Sequence, residues 1–195
     1  MNLILASKSP RRQQLMRLLG LPFRVMTEDV DETMDPALPP EDEVARVSRK
    51  KAEAVLPLVG ADALVVCADT IVVLDGRILG KPADREEAGA MLRALSGKTH
   101  TVLTAVTVCT RGQSKTEVER TEVSFRPLSC REIDAYVATG EPMDKAGAYG
   151  IQGFGSVFVR RLNGDYFNVM GLPVCRLTGL LRQFGVSILG EDENT

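Results

Sequence analysis

Two arginines open the first helix that the sequence predicts. The stretch LILASKSPRRQQLMRLLG, residues 3–20, reads as a short apolar strand, a turn, and a helix that Ser9 can cap and Pro10 can begin. Arg11 and Arg12 fall in its first turn, where aligned peptide dipoles already supply roughly half a positive charge. Backbone N–H groups at that end attract anions, and guanidinium groups match phosphate oxygens. The pattern favours a phosphate site; two solvated arginines are the alternative.

Asp69 interrupts a strand that is otherwise apolar. Residues 64–74, LVVCADTIVVL, predict a buried strand, and an unpaired carboxylate in a dry core is strongly unfavourable. Asp69 must therefore meet a cation or lie at an opening. A metal ligand and a general base both require an ionised carboxylate at such a place. The alternative is a structural aspartate bonded to backbone amides.

Two lysines and a glutamate are further candidates for a charged site. Lys51 lies on the apolar face of a helix predicted over 41–56, where its stem could pack while its amine reaches water. Lys81 follows a hairpin strand in LGKP, and it could reach the same opening as Asp69 or be a surface charge. Glu32 lies in the loop DVDET and indicates nothing by itself.

A glycine-rich loop over residues 140–155 could approach a ligand closely. Its glycines permit positive φ, and it also carries Gln152. The GxxxxGK[ST] spacing of a Walker A loop is absent, and so is a GxGxxG following a strand. A long segment outside any helix or strand is often functional. Basic groups for phosphate, acidic groups for a metal and this loop together indicate a nucleotide or another phosphorylated small molecule.

The elements that must position these residues alternate between strands and helices. Two-residue turns at Asp75-Gly76 and Asn163-Gly164 predict hairpins, which require antiparallel pairs. The fold class is therefore α/β with a mixed sheet and flanking helices. The predicted strands are 2–6, a short one at 23–26, 64–74 with its hairpin partner 77–79, 100–110, 117–127, 156–161 and 166–170. Helices are predicted after Ser9, Asp84 and Ser129 and over 41–56 and 173–184.

Length, charge and composition exclude several classes. A chain of 195 residues forms one domain or two packed lobes, and its net charge of −2 gives no reason to expect a nucleic-acid polymer or an acidic membrane as partner. No apolar run approaches the ~20 residues that span a bilayer, and no signal peptide is present, so we expect a cytoplasmic location. A single histidine and no paired cysteines argue against a His/Cys zinc site and a Ser-His-Asp hydrolase.

Four spaced motifs resemble those of the Maf family of nucleoside-triphosphate pyrophosphatases. SKSPRR, CADTIV, LGKP and EPMDKAGAYGIQG follow in family order, and the resemblance covers residues 2–185. DKAGAYGIQG resembles the branch acting on dTTP and UTP rather than the sister branch that prefers 7-methyl-GTP. The resemblance implies hydrolysis of the α–β phosphoanhydride to the monophosphate and pyrophosphate, a divalent cation (Mg²⁺ or Mn²⁺), and a homodimer.

The resemblance also implies a fold and a set of site residues. The fold would be an elongated, two-lobed Maf/ITPase-like α/β domain over residues 1–190, with the substrate in a central cleft; an acidic, flexible tail would follow at 191–195. Asp69 falls at the family's proton-acceptor position. The substrate-selecting positions are Arg11, Thr70 and Gln152, and the other polar positions of the pocket are Ser9, Arg12, Glu32, Lys51 and Lys81.

The chemistry of these residues suggests a mechanism as a hypothesis. Arg11 and Arg12 with the helix N-terminus would hold the triphosphate, while Lys51 and Lys81 would neutralise charge on the pyrophosphate leaving group. Asp69, with Glu32, would hold the metal or take a proton from water. Two other functions stay open at this point. One is a nucleotide-binding regulator, for instance of cell division, without turnover. The other is a phosphatase that releases inorganic phosphate from a phosphorylated metabolite.

Overall fold

The computed structural model describes residues 2–35 and 37–190 of the chain. The acidic tail predicted at 191–195 lies outside the described residues. The strands are β1 Asn2–Leu5, β2 Arg24–Val25, β3 Ala63–Leu74, β4 Arg77–Leu79, β5 Thr99–Cys109, β6 Ser114–Phe125 and β7 Val159–Asn163. The α-helices are α1 Pro10–Leu18, α2 Pro40–Val55, α3 Arg85–Leu95, α4 Cys130–Ala138, α5 Tyr166–Met170 and α6 Val174–Arg182. Short 3₁₀-helices cover Leu56–Leu58, Glu141–Asp144, Ala146–Ala148 and Gly153–Phe158.

The strands form one mixed sheet, as the sequence predicts. Neighbouring strands follow the order β2-β1-β3-β5-β6-β7, and β4 pairs with β3 outside this path. Strand β1 is parallel to β2 and to β3, whereas the β3–β4 and β6–β7 pairs are antiparallel. The predicted α/β class with a mixed sheet and flanking helices is therefore confirmed. Of the helices within the described ranges, none combines the length and the hydropathy that crossing a bilayer requires.

The chain divides into two compact units, and the first carries most of the predicted charged residues. Its described residues fall within 2–69, 104–119 and 171–190. Ile4, Val55 and Val65 are part of its buried core. Helix α2 contributes its apolar face to this core and has acidic residues in its first turn, where they complement the helix dipole.

The second unit contains the hairpin and the glycine-rich loop. It covers Thr70–Leu103 and Arg120–Met170, and its core includes Leu92, Phe125 and Ile133. Residues 75 and 76 both adopt positive φ, 50° and 79°, which is what the predicted two-residue hairpin turn requires. Helix α4 follows Ser129, as predicted, and begins with a capping box that the side chains at 129 and 132 form with each other's backbone.

The strand predicted at 166–170 is wrong, because this segment is the short helix α5. Asp165 follows the turn, and its Oδ1 accepts a hydrogen bond from the backbone N–H of Phe167 at 2.7 Å. An aspartate in this position satisfies a free N–H group of a helical first turn and favours a helix start over a hairpin return. The buried Asn168 then donates its side-chain amide to the carbonyl of Val102 at 3.1 Å. Strand β7 also begins later than predicted, since Gly153–Phe158 is a 3₁₀-helix.

Candidate active site

The first helix starts where strand β1 leaves the sheet. Leu5 pairs with Val66 of β3, and the backbone N–H of Ala6 donates to the Val66 carbonyl at 2.7 Å. The Cys67 thiol then donates to the carbonyl of Ala6 at 3.3 Å. The turn into α1 therefore begins beside the segment of β3 that leads to Asp69. This is the carboxyl end of a parallel strand pair, which is where open α/β sheets commonly bind ligands.

Two serines shape the turn before α1. Ser9 is the N-cap, as predicted, and its Oγ accepts from the backbone N–H of Arg12 at 3.5 Å. Ser7 is buried, and its Oγ accepts from the backbone N–H of Ser9 at 3.3 Å and from Nη1 of Arg12 at 3.5 Å. Ser7 is not among the site residues predicted from the sequence. Its place in the same Ser-Lys-Ser-Pro turn is the signal that could have found it.

The guanidinium of Arg12 is held in place by the protein. Its Nε donates to the backbone carbonyl of Gly171 at 2.7 Å, a second contact beside the one with Ser7. Arg11 and Arg12 are both half-buried in the first turn of α1. Hydrogen bonds to a backbone carbonyl and to a serine hydroxyl fix the orientation of this guanidinium. The fixed charge and the helix dipole reinforce each other at this end of α1.

Lys51 joins two predicted acidic residues of the same unit. Its Nζ lies 2.7 Å from Oδ1 of Asp69 and 2.8 Å from Oε2 of Glu32. The Lys51 and Asp69 side chains are 16% and 10% exposed, whereas Glu32 is 51% exposed. Asp69 thus meets a cation, one of the two possibilities that the sequence left. The alternative in which the Lys51 amine simply reaches water is wrong.

The environment of Lys51 favours its charged form. Burial opposes the charge, but the Asp69 carboxylate and then the Glu32 carboxylate outweigh it, so the pKa of Lys51 is raised above its ordinary value. The ammonium is therefore retained throughout the physiological pH range. The sequence predicted Lys51 on α2 and Asp69 on β3 separately, and the packing of α2 against the sheet brings them together.

Cys67 lies on β3, two residues before Asp69, and its thiol is buried. Burial raises the pKa of Cys67 to about 12; the positive charges of Arg12 and Lys51 oppose this, and the negative charge of Asp69 adds to it. Because that thiol contacts Ala6 while Asp69 follows on the same strand, the turn into α1 and the Lys51–Asp69 pair belong to adjoining parts of the first unit. This is the combination of cations and carboxylate that the sequence predicts for a polyphosphate site.

Lys81 belongs to the second unit and lies next to the glycine-rich loop. Gly80 accepts a hydrogen bond at its carbonyl from the backbone N–H of Gly147, at 2.9 Å. Gly147 has φ of +67°, and a Cβ there would approach Cγ2 of Val72 to 2.9 Å, so this contact requires glycine. Lys81 itself is exposed. The structure thus joins the LGKP segment to the loop, as neighbours within one unit.

Glu141 organises the glycine-rich loop from its beginning. Its Oε1 accepts from the Tyr136 hydroxyl at 2.9 Å and from the Gly155 backbone N–H at 3.2 Å, and its Oε2 accepts from the Phe154 N–H at 3.0 Å. One carboxylate therefore fixes both ends of the loop. Glu141 is likewise absent from the predicted site residues. The signal would have been an acidic residue directly after Gly140, at the start of a segment rich in free N–H groups.

Two further predicted residues lie in the second unit. Thr70 follows Asp69 in β3 and is half-buried. Gln152 is half-buried at the start of the 3₁₀-helix Gly153–Phe158. The roles of Lys81, Thr70 and Gln152 in binding substrate stay predictions.

The carboxylates of Glu32 and Asp69 suit a magnesium ion that arrives with its substrate. Within residues 2–35 and 37–190 there is no group of three or more His, Cys, Asp or Glu side chains that could hold a metal. These two carboxylates nevertheless converge on one cation, the Lys51 ammonium, which shows that they can face a shared positive charge. Mg²⁺ is commonly held by one or two carboxylates together with substrate phosphates and water. The donor set therefore fits that mode of binding.

Comparison with known proteins agrees with the family resemblance of the motifs. Residues 2–184 match the family described as Maf-like protein. A dTTP/UTP pyrophosphatase of Pelotomaculum thermopropionicum is 52% identical over 189 residues, which cover 96% of this chain and 98% of that protein. A dTTP/UTP pyrophosphatase of Bacillus anthracis is 49% identical over 186 residues, covering 95% of this chain and 97% of that protein.

Solved structures resemble the chain more distantly. The Ham1 protein of Staphylococcus aureus is 18% identical, with a TM-score of 0.45, over 80% of this chain and 78% of that one. A TM-score below 0.5 adds no argument to the sequence comparison.

Proposed function

The chain belongs to the family of Maf-like proteins, and from that premise we propose that it hydrolyses dTTP and UTP to the nucleoside monophosphate and pyrophosphate. Two relatives that carry the name dTTP/UTP pyrophosphatase are 52% and 49% identical and align with nearly the whole chain. The DKAGAYGIQG motif supports the same pyrimidine branch. The reaction consumes one water, which attacks the α-phosphorus as pyrophosphate leaves.

The observation that carries this proposal is a cluster of charges made of Arg12, Lys51 and Asp69. Lys51 and Asp69 are paired at 2.7 Å, and β3 contacts the turn before α1 through the Cys67 thiol and the Ala6 carbonyl. A triphosphate carries several negative charges, so its binding requires fixed cations and backbone N–H groups. Water attack at phosphorus also requires a group that accepts a proton. The cluster combines these requirements within one compact unit.

Within this cluster each residue has a proposed task. Arg11 and Arg12, with the N-terminus of α1, bind the triphosphate, and Ser9 keeps the first turn of that helix in place. Lys51 neutralises charge that develops on the pyrophosphate leaving group. Asp69 either accepts the proton of the attacking water or, with Glu32, holds a divalent cation. Of these groups, Lys51 is already positioned by its contact with Asp69 at 2.7 Å.

The remaining tasks are proposed from the family resemblance. Lys81 adds a second positive charge for the leaving group. Thr70 and Gln152 hydrogen-bond the pyrimidine, and a site built to pair such polar groups rejects a base that leaves them without a partner. Glu32 and Asp69 would hold a divalent cation, Mg²⁺ or Mn²⁺, which supplies Lewis-acid stabilisation of the phosphoryl oxygens when it is bound.

The test is the identity of the product. The protein is incubated with dTTP and Mg²⁺, and the products are separated and followed by ³¹P NMR. We expect thymidine monophosphate and pyrophosphate, and a rate at least about a hundredfold lower for Asp69→Asn, because a general base contributes that much or more. Asp62→Asn is the matched control, since Asp62 is exposed in the turn before the same strand.

Other products would overturn the proposal in distinct ways. Binding of dTTP without any product would identify a nucleotide-binding regulator. Release of inorganic phosphate would identify a phosphatase. A full rate in Asp69→Asn with the expected products would keep the reaction but remove Asp69 from the chemistry.

We also propose a homodimer and a cytoplasmic location, both from the family resemblance. Light scattering on the purified protein tests the first, and a monomer mass would refute it. Fractionation of cells that produce the native protein tests the second. A single domain over residues 1–190 likewise stays a prediction, which limited proteolysis would test through the survival of one intact fragment.

A further inference from the structure

The segment that carries Glu32 has no regular structure of its own. Residues 26–35 form neither helix nor strand. The Glu32 side chain is 51% exposed, yet its carboxylate lies 2.8 Å from Nζ of the largely buried Lys51. A half-exposed glutamate in an irregular segment samples many positions unless its backbone is fixed. Something else must therefore hold this stretch in place.

Helix α2 binds the backbone on both sides of Glu32. Nη2 of Arg46 donates to the carbonyl of Thr33 at 2.7 Å, and Nζ of Lys50 donates to the carbonyl of Asp31 at 2.8 Å. Asp31 adds a local turn, because its Oδ1 accepts from the backbone N–H of Thr33 at 2.9 Å. The two residues that flank Glu32 are thus tied to the helix that carries Lys51.

Arg46 is itself held by a buried carboxylate. Glu43 is 0% exposed, and its two oxygens accept from Nε and Nη2 of Arg46 at 3.1 and 2.8 Å. The hydrogen bonds from Arg46 lower the pKa of Glu43, and the backbone of Asp35 contributes as well, so the carboxylate stays ionised although burial opposes it. Such a two-point contact fixes the plane of the guanidinium, and it leaves Nη2 directed at Thr33.

We propose that Arg46, held by Glu43, is a positioning residue for Glu32. It holds residues 31–33 against α2, and the Glu32 carboxylate is thereby presented to Lys51. This inference rests on the proposed function, because it assumes that Glu32 takes part in pyrimidine nucleotide hydrolysis. It adds two residues, Arg46 and Glu43, that the motifs of the family do not contain.

A purely structural role for Arg46 makes different predictions. If Arg46 only stabilises α2, its replacement lowers activity equally whether or not Glu32 is intact. If it acts through Glu32, its replacement has no further effect once the Glu32 carboxylate is gone. A double-mutant cycle separates the two, because coupling is present only in the second case.

The experiment uses the full chain and two independent measurements. Arg46→Lys keeps the positive charge and removes the forked contact, and Arg49→Lys is the control, since Arg49 is exposed on the same helix. Hydrogen exchange of the amides at 31–35 reports the ordering of the segment without any substrate. The value of kcat/KM for dTTP is then compared for Arg46→Lys, Glu32→Gln and the double variant. Lys50→Gln is the second variant, should Arg46→Lys fail to fold.

We expect the 31–35 amides to exchange about tenfold faster in Arg46→Lys, because the variant loses one hydrogen bond to a charged group. We expect no change in Arg49→Lys. We expect kcat/KM to fall about tenfold in Arg46→Lys and in Lys50→Gln, with no further fall when either is added to Glu32→Gln. Unchanged exchange, or the same tenfold penalty in the Glu32→Gln background, would refute the positioning role. A wild-type protein that does not hydrolyse dTTP would refute the proposed function instead, and the exchange result would still stand.

Discussion

Replacing Lys51 by methionine removes the cation between two carboxylates. The Lys51 and Asp69 side chains are 16% and 10% exposed, and their charged atoms lie 2.7 Å apart. Breaking a buried ion pair by removing one partner costs about 3–5 kcal/mol, because the remaining charge stays buried without compensation. Some water reaches this pair, and Glu32 is half-exposed. We therefore expect Lys51→Met to lower the free energy of unfolding at pH 7 by about 2–4 kcal/mol.

A second substitution tests whether charge is the cause. Asp69→Asn in the Lys51→Met background removes the uncompensated charge and keeps the shape of the side chain. We expect the double variant to recover at least about half of the loss, since contacting residues couple by roughly 0.5–3 kcal/mol. Lys98→Met is the control. Lys98 pairs with Asp75 at 3.2 Å, but the two side chains are 51% and 73% exposed, so the loss there should be below about 1 kcal/mol.

The assay is urea unfolding followed by far-UV circular dichroism, because the chain contains no tryptophan. The pair has a defined pH range as well. Because the pKa of Lys51 is raised in the folded state, its contribution is complete below the ordinary lysine pKa and is lost only as pH rises through the folded-state value. The reasoning is refuted if Lys51→Met loses less than about 1 kcal/mol, or if the double variant is no more stable than the single one.

Two further predictions concern the second unit. Burial lowers the pKa of His100, the one histidine of the chain, to about 4. Below about pH 6.5 the unfolded chain therefore binds a proton that the folded chain does not bind. We expect the free energy of unfolding to fall by about 2 kcal/mol between pH 7.5 and pH 5. Urea unfolding at both pH values should show a smaller fall in His100→Gln, and an equal fall would contradict the assignment. Gly147→Ala combines positive φ with a contact to Val72 and should cost about 2–4 kcal/mol, whereas Gly76→Ala, with no atom within 4 Å, should cost only about 1–2 kcal/mol. Equal losses in the two glycine variants would contradict the steric argument.

Local sequence motifs predict much of this fold, because helix caps and turns depend on only a few neighbouring residues. The cap at Ser9, the helix start at Ser129 and the hairpin at 75–76 all form as expected. The segment 166–170 does not, because five residues, YFNVM, are too few to distinguish the period of a strand from that of a helix. The Asp165 carboxylate, which caps the first turn, favours the helix. In the sequence, only the preceding Gly164 indicates that a new element begins there.

The candidate site is less predictable than the fold, because its contacts join distant parts of the chain. Lys51 and Asp69 each break a local pattern, which is why single-residue arguments identify them. Glu43 and Arg46 break none, since an acidic residue in a first helical turn and an arginine on a helix are both ordinary. Their roles appear only when the segment around Thr33 packs on α2. Charge anomalies are therefore visible in a sequence, whereas the groups that support them are not.

On the proposed function, the Lys51 ammonium competes with a metal ion for its two carboxylates. It lies within 2.8 Å of both Glu32 and Asp69, so it cancels one of their two negative charges and weakens their attraction for Mg²⁺ alone. A bound triphosphate attracts the Lys51 ammonium, so the ammonium offsets less of the charge on Glu32 and Asp69. The triphosphate also supplies oxygen ligands for the metal, and we therefore expect Mg²⁺ and nucleotide to bind cooperatively. In thermal melts, Mg²⁺ alone should leave Tm almost unchanged. Mg²⁺ with a non-hydrolysable dTTP analogue at about 100 Kd should stabilise by about 2.7 kcal/mol, or several degrees. Glu32→Gln should reduce the part of the Tm shift that depends on Mg²⁺. Asp29→Asn is the control and should leave that shift unchanged, because Asp29 is exposed in the same loop. An equal shift with Mg²⁺ alone would mean that the two carboxylates bind the ion before any substrate, and that the Lys51 ammonium does not compete with it.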